Sequence, residues 1–263
     1  MIRYAVRGDI PALKRLMNDA FGDSDSETAL FFERLFCDDC ALVYCDGGIA
    51  SVVYLLPAAV FVGGVRHDAR YIYAAATRAD CRGRGYMSRL LDFAADECRR
   101  RGYDYLILLA ADDGLTEFYG RRGYYRAFGC EERIYSVTDG GVLPTGAATS
   151  ALVKQCRNAA VMSVGGAVWE EPLFDHMFRT YADSGLDWLS LGLGYALVDR
   201  ANCLVNELVC FDTEGALRTV CRLYGWSDCR YRAVSDAAPS RGMALPLKSG
   251  LPLPHGYMGL CLE

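Results

Sequence analysis

Histidine is scarce in this chain: there are three in 263 residues, His67, His176 and His255, and no two are near neighbours in sequence. That scarcity bears on the one metal-like spacing present, the C-x-x-C of Cys37 and Cys40 in FCDDC. A zinc site wants a second such pair or histidines close by, and neither exists. A redox dithiol wants a thioredoxin-like strand before it, and the Asp-Asp interior disfavours a thiolate. The pair reads as coincidence in a chain with twelve scattered cysteines, and no metal is expected.

A surplus of positive charge is also missing. Lys and Arg total 28 against 33 Asp and Glu, for a net charge of −5, which argues against nucleic acid as the main partner. A mildly acidic surface suits a cationic substrate instead. Nor is there an uninterrupted apolar run. Ile49 to Val65 comes closest, but it falls short of the roughly 20 residues of a membrane span. Pro57 and Gly63-Gly64 break it, and its β-branched content favours sheet. No membrane association is expected. The opening MIRYAVRGDI has no apolar signal core, so the thiols are expected to be reduced and the location cytoplasmic.

What the chain does have is 52% hydrophobic and 23% charged residues, enough for one large or two small globular domains. Its organising stretch runs from Tyr71 to Tyr125. Tyr71 to Thr77 is apolar on both alternating faces, as in a strand covered on both sides. Arg82-Gly83-Arg84-Gly85 follows as a turn. Met87, Leu90, Leu91, Ala94, Ala95 and Cys98 then recur at helical spacing up to Gly102, and Tyr105 to Ala110 is a second buried strand. A helix start leaves its first amides unpaired and carries the positive end of the helix dipole. Glycines clear the Cβ atoms from that backbone, and two arginines add charge, which makes a phosphate or pyrophosphate cradle.

The strand, the RGRG turn, the helix, the next strand and then GLTEFYGRRGYY together resemble the GNAT family of acyl-CoA-dependent N-acetyltransferases. The family signature, Arg/Gln-x-x-Gly-x-Gly/Ala, reads here Arg82-Gly83-Arg84-Gly85-Tyr86-Met87, with methionine in the last small position. That departure, and the extra chain after the core, resemble the Eis-like (enhanced intracellular survival) branch. The resemblance implies an α/β fold with a mixed α+β sheet: an N-terminal GNAT fold followed by a degenerate GNAT-like half. It implies acetyl-CoA as cosubstrate, its pyrophosphate held by Arg82, Gly83, Arg84, Gly85, Tyr86, Met87 and Ser88. Ala75, Ala76 and Thr77 would lie along the pantetheine and polarise the acetyl carbonyl, with Gly114 and Leu115 beside the same arm. Tyr119 falls where the family places its general acid. The glutamate that many relatives carry on the strand before the turn is absent from Tyr71 to Asp80. The base could then be a water chain, another acidic residue, a carboxylate of the second half or, as in Eis-like enzymes, the terminus at Glu263.

Elsewhere, Ile2 to Ala5 reads as a first strand and Asp9 is placed to cap the next helix. A second amphipathic helix runs through Phe31, Phe32, Leu35 and Phe36. Between the two lie Asp23, Asp25 and Glu27; in the family this joint borders the acceptor site, so these residues are candidates to hold a substrate ammonium, the alternative being that they merely cap and solubilise the helix. Ile49 to Leu56 and Ala58 to Val65 read as separate strands parted by Pro57. Asp112 or Asp113 can cap Leu115 to Tyr119, and Tyr124 to Phe128 and Glu131 to Val137 should complete the sheet. The Gly/Thr/Pro-rich stretch from Thr138 to Ser150 sets a boundary between 1–138 and 139–263. Beyond it come helices at Ala151 to Ala159 and Glu171 to Ala182, then a hairpin with arms Trp188 to Val198 and Cys203 to Phe211. A helix from Glu214 to Gly225 and three strands finish the chain. The turn after Phe211 is Asp-Thr-Glu-Gly, acidic where a phosphate cradle would be basic. The later half is expected to complete an acceptor site or a dimer, so a homo-oligomer fits. Three functions follow: N-acetyl transfer to a small amine, N-acetyl transfer to a protein or peptide, and non-catalytic acyl-CoA binding.

Overall fold

The computed structural model describes residues 1–236 and 238–261. The first half contains β1 (Ile2–Tyr4), α1 (Ile10–Phe21), α2 (Asp25–Leu35), β2 (Ala41–Cys45), β3 (Ile49–Val62), β4 (Val65–Thr77), α3 (Tyr86–Arg100), β5 (Tyr105–Leu109), α4 (Asp113–Gly120), β6 (Tyr125–Gly129) and β7 (Glu132–Ser136). The second contains β8 (Thr145–Ala147), α5 (Ser150–Val164), β9 (Gly166–Trp169), α6 (Leu173–Asp183), β10 (Asp187–Leu191), β11 (Gly194–Asp199), β12 (Leu204–Val209), α7 (Thr213–Tyr224), β13 (Asp228–Ala233), β14 (Gly242–Pro246) and β15 (Gly256–Tyr257).

Two sheets result, and each takes strands from both halves. The larger runs β1-β2-β3-β4-β5-β14-β6-β15-β9, and β9 also pairs back onto β3, so seven of its strands close into a ring. The smaller runs β7-β13-β12-β11-β10-β8. Strand β7, expected to complete the first sheet, instead pairs with β13. Between β5 and β6 lies β14, from the second half, antiparallel to both. The halves have exchanged strands. Local alternation announces a strand, but its neighbour is chosen by whichever edge lies open.

Alternation also explains why the long β3 has two dry faces. Val52, Tyr54, Leu56, Ala58 and Val60 face α1, α2 and α6, while Val53 and Leu55 join Leu90, Leu91 and Ala94 of α3. Pro57 does not break β3. On one edge the pairing of β3 with β2 stops at Tyr54, opposite Ala41, and its pairing with β9 starts at Ala58, opposite Trp169. The Leu55 amide on that edge bonds Cys40 O, and Pro57 O accepts from the Glu170 amide. The missing N–H of Pro57 therefore falls at the seam between two partner strands, where no donor is needed. The expected arm Trp188 to Val198 is two strands, β10 and β11, folded back at Gly192, whose φ is +61°. Asp9 does not cap α1: its carboxylate takes two hydrogen bonds from Arg3, at 2.6 and 2.9 Å, and one from the Val6 amide. Among the described residues, no helix is long and apolar enough to cross a membrane.

The βαβ unit occurs twice. β4-α3-β5 and β12-α7-β13 each join parallel strands through a helix. The two helix starts differ. Asp212 accepts a hydrogen bond from the Gly215 amide at 2.9 Å, so α7 is capped by its own carboxylate. Helix α3 starts at Gly85 with no side-chain cap.

Candidate functional site

Strand β4 parts from β5 where the candidate cofactor site begins. The two are paired over Ala69–Tyr71 and Tyr105–Ile107 only. On the other edge β4 stays paired with β3 up to Thr77, but the register slips around Val53. Ala74 accommodates the extra residue in a left-handed conformation, φ +45°, one that costs an L-residue roughly 1–2 kcal/mol. The bulge turns the end of β4, carrying Ala75, Ala76 and Thr77, away from β5. Their edge of the opened V has no strand partner among the described residues.

Helix α3 begins at the mouth of this V. Gly83 and Gly85 both have positive φ, +76° and +75°, and a Cβ built on either would meet nothing within 4 Å. The cradle is therefore open space lined by backbone, with the first-turn amides of Tyr86, Met87 and Ser88 not consumed by a cap. Arg82 is tied back by Nε to Thr77 O at 3.2 Å. Arg84 leans toward Asp46, 4.0 Å away, and is more than half exposed. The Tyr86 ring stacks on Tyr44 at 4.3 Å and its hydroxyl donates to Asp46. Arg122 donates to the Ser88 hydroxyl and to Phe118 O, joining α3 to α4. These residues suit a pyrophosphate-bearing ligand: open backbone, a helix dipole and nearby guanidinium groups.

Gly114 and Leu115 are placed differently from the cradle. The Leu115 amide is already donated to the Asp112 carboxylate, 2.7 Å away, which caps α4. Tyr119, on α4, is buried at 6% exposure among Leu90, Leu91, Leu108 and Tyr124. Burial pushes its pKa up to about 12, opposed by the nearby Arg122. Its hydroxyl has no hydrogen-bond partner among the described residues.

The opposite face of the V opens into a cavity of about 710 Å³. Tyr73 of β4 and Leu109 of β5 reach it from the sheet, Asp23, Glu27 and Phe31 from the joint of α1 and α2, and His176 and Asp183 from α6. Asn206, Arg232 and Met258 to Cys261 complete it from the second half. Of the three acidic candidates, Asp23 and Glu27 line the cavity, while Asp25 turns aside to accept from the Asn18 side-chain amide at 2.7 Å. His176 and Arg232 carried no local sequence signal, because an isolated His or Arg becomes part of a site only through the fold. Burial, then Arg34, brings the His176 pKa down to about 4, and its Nδ1 is buried without a partner among the described residues. Glu263 lies outside the described residues.

Residues 1–127 match the family described as the acetyltransferase (GNAT) domain. Over that stretch the chain is similar to a GNAT acetyltransferase domain. Solved structures extend the likeness of fold beyond it. A GCN5-related N-acetyltransferase from Anabaena variabilis matches with a TM-score of 0.78 at 13% identity, covering 94% of this chain and 73% of that one. One from Kribbella flavida gives 0.71 at 16%, covering 94% and 72%. Eis1 from Mycobacterium abscessus gives 0.68 at 14%, covering 94% and 73%. No curated protein sequence matches the chain significantly. The likeness of fold to these proteins thus runs across both halves of the chain.

Proposed function

We propose that the protein is an acetyl-CoA-dependent N-acetyltransferase that acetylates a small amine by direct attack in a ternary complex. One observation carries this reading: β4 runs from the cavity wall at Tyr73, through the bulge at Ala74, to the edge at Ala75–Thr77 that has no β5 partner and on toward the open cradle at α3. Two substrates entering from opposite faces would be brought together there. The cavity favours a small acceptor over a protein, because about 710 Å³ lined by α2, α6 and Met258 to Cys261 is the size of a small-molecule site. A module that only binds acyl-CoA would need no such second chamber.

Bound acetyl-CoA supplies an activated acyl thioester. The amides of Tyr86, Met87 and Ser88, with Arg82 and Arg84, would hold its pyrophosphate. The edge at Ala75, Ala76 and Thr77 would align the pantetheine and donate to the acyl carbonyl oxygen as negative charge develops there. Tyr119, kept protonated by burial, would hand its proton to the departing sulfur. Asp23 and Glu27 would draw the acceptor ammonium into the cavity. Calorimetry with acetyl-CoA, followed by thiol release across spermidine, kanamycin and short peptides with free amines, tests the reading. Binding with turnover of a small amine supports it. Turnover of peptides alone would move the assignment to a protein acetyltransferase, and binding without turnover of any amine would leave only the acyl-CoA-binding module.

A further inference from the structure

Four carboxylates line the acceptor cavity among the described residues: Asp23, Glu27, Glu132 and Asp183. Three are engaged elsewhere. Glu132 accepts from Arg230 at 3.1 Å and from Arg232 at 2.9 Å. Asp183 faces Arg34 at 3.9 Å. Glu27 closes the capping box of α2, accepting from the Ser24 amide at 2.8 Å and the Ser24 hydroxyl at 2.7 Å, and these bonds hold it below the usual carboxylate range. Asp23 has no hydrogen-bond or ion-pair partner among the described residues, although it is partly buried. The chain places it there. Gly22, at φ +78°, ends α1 by donating its amide to Asn18 O, and Ser24 caps α2, so Asp23 is the single residue between two helix caps.

We propose that Asp23 is the general base of the reaction, the group that takes the proton from the acceptor ammonium beside the open edge of β4. The assignment rests on the acetyltransferase reading above. Burial first, and then Glu27, raises the Asp23 carboxyl above its ordinary range, which strengthens it as a base. Tyr73, on the sheet wall of the same cavity, is kept protonated by burial and by the charges of Asp23 and Glu27. Its phenol can donate a hydrogen bond but not compete for the proton. His176, the other candidate base, is 5% exposed and held down to about 4. It is neutral at working pH and offers an ammonium no opposite charge, whereas the Asp23 carboxylate does.

The protons balance. An ammonium gives one proton to the Asp23 carboxylate, the free amine attacks the acyl carbonyl, the C–N bond forms and the C–S bond breaks. Tyr119 protonates the thiolate, the amide nitrogen sheds its second proton, and water resets both side chains with net release of one proton.

The test uses the full chain carrying Asp23→Asn or Asp23→Glu, with spermidine or whichever panel amine turns over faster. Besides Asp23, the groups facing this part of the cavity are Glu27 from α2, Tyr73 from β4, and His176 and Asp183 from α6, with Arg34 behind them. Asp23→Asn should lower kcat about 10²-fold near neutral pH, and the loss should shrink as pH approaches the acceptor's own ammonium pKa, where solvent removes the proton. Acetyl-CoA affinity and Tm should hold, and Asp23→Glu should recover part of kcat. A higher KM with an unchanged kcat, or a loss of the same size at every pH, would make Asp23 a binding residue and overturn the assignment. An unaltered protein that binds acetyl-CoA but turns over no amine would instead overturn the acetyltransferase reading, and this assignment with it.

Discussion

Replacing Tyr119 by phenylalanine isolates one hydroxyl. The ring packs edge-on against Phe118 at 5.4 Å and Tyr124 at 5.7 Å, and phenylalanine keeps both contacts. The hydroxyl bonds to nothing among the described residues, so its removal breaks no hydrogen bond. Stability should change by less than about 1 kcal/mol, a Tm shift of roughly 2–4 °C at most for a chain of this size. Activity should not be spared. If the phenol protonates the leaving thiolate, kcat should fall on the order of 10²-fold, about 2.7 kcal/mol of transition-state stabilisation. Acetyl-CoA affinity by calorimetry should stay within about twofold. The pH dependence has a definite sign. Burial raises the phenol to about 12, so the protonated, competent form persists through the whole alkaline range an assay can reach. The parent should show no loss of kcat from Tyr119 ionisation below that. A variant turning over within about twofold of the parent would refute the role, and a large fall in Tm would show that the hydroxyl has a structural partner.

Gly85→Glu should abolish acetyl-CoA binding, because it sets a carboxylate where the pyrophosphate belongs and forces an L-residue to φ +75°; Gly85→Ala should bind detectably but lose roughly 1–2 kcal/mol of stability to the left-handed backbone alone, and unchanged calorimetric affinity in a folded Gly85→Glu would remove the cradle. Arg157 and Glu207 form a fully buried pair, and Arg157 also donates to Ala167 O and Gly259 O; Arg157→Met strands the Glu207 carboxylate and should cost about 3–5 kcal/mol, read as a denaturation midpoint, whereas a midpoint equal to the parent's would mean that the charge is neutralised some other way. A fragment ending at Val137 lacks β14 between β5 and β6 and leaves β7 without β13; it should be insoluble alone and recover when coexpressed with residues 138–263, and a soluble monomeric fragment would show that the exchange is dispensable.

The parts legible in the sequence were those made by neighbours. Strand β4, the RGRG turn, α3 ending before Gly102 and strand β5 lie within one stretch, and local period and glycine placement determine them. Ser24-x-x-Glu27 also spells a capping box, a purely local signal that separates the engaged Glu27 from the unengaged Asp23. The exchanged strands could not be read this way. Glu132 to Ser136 and Gly242 to Pro246 are short strands without a clear alternation, and nothing in five residues states which edge they will complete. The cavity was hidden for the same reason: Asp23, Tyr73, His176, Arg232 and Cys261 meet only after both sheets have formed. Pro57 misled because proline breaks a strand only where its missing N–H is needed, and here two partner strands meet at that point.

The repeated βαβ unit shows how differently two equivalent helix starts are treated. Both helices follow a strand and precede a parallel one, and both have a well-buried apolar stripe. At α7 the Asp212 carboxylate sits on the first-turn amides, so close that a Cβ on Gly215 would collide with it. That cap stabilises the helix by about 1 kcal/mol and fills the place an anion would take. At α3 the corresponding stabilisation is forgone: Gly85 offers no side-chain oxygen, and a left-handed glycine holds the turn open. A helix start left uncapped beside Arg82 and Arg84 is less stable until an anion arrives. The first half keeps this local instability where a ligand would relieve it. The second half has closed its equivalent helix start and contributes α6, β13 and the Met258 to Cys261 segment to the wall of the cavity instead.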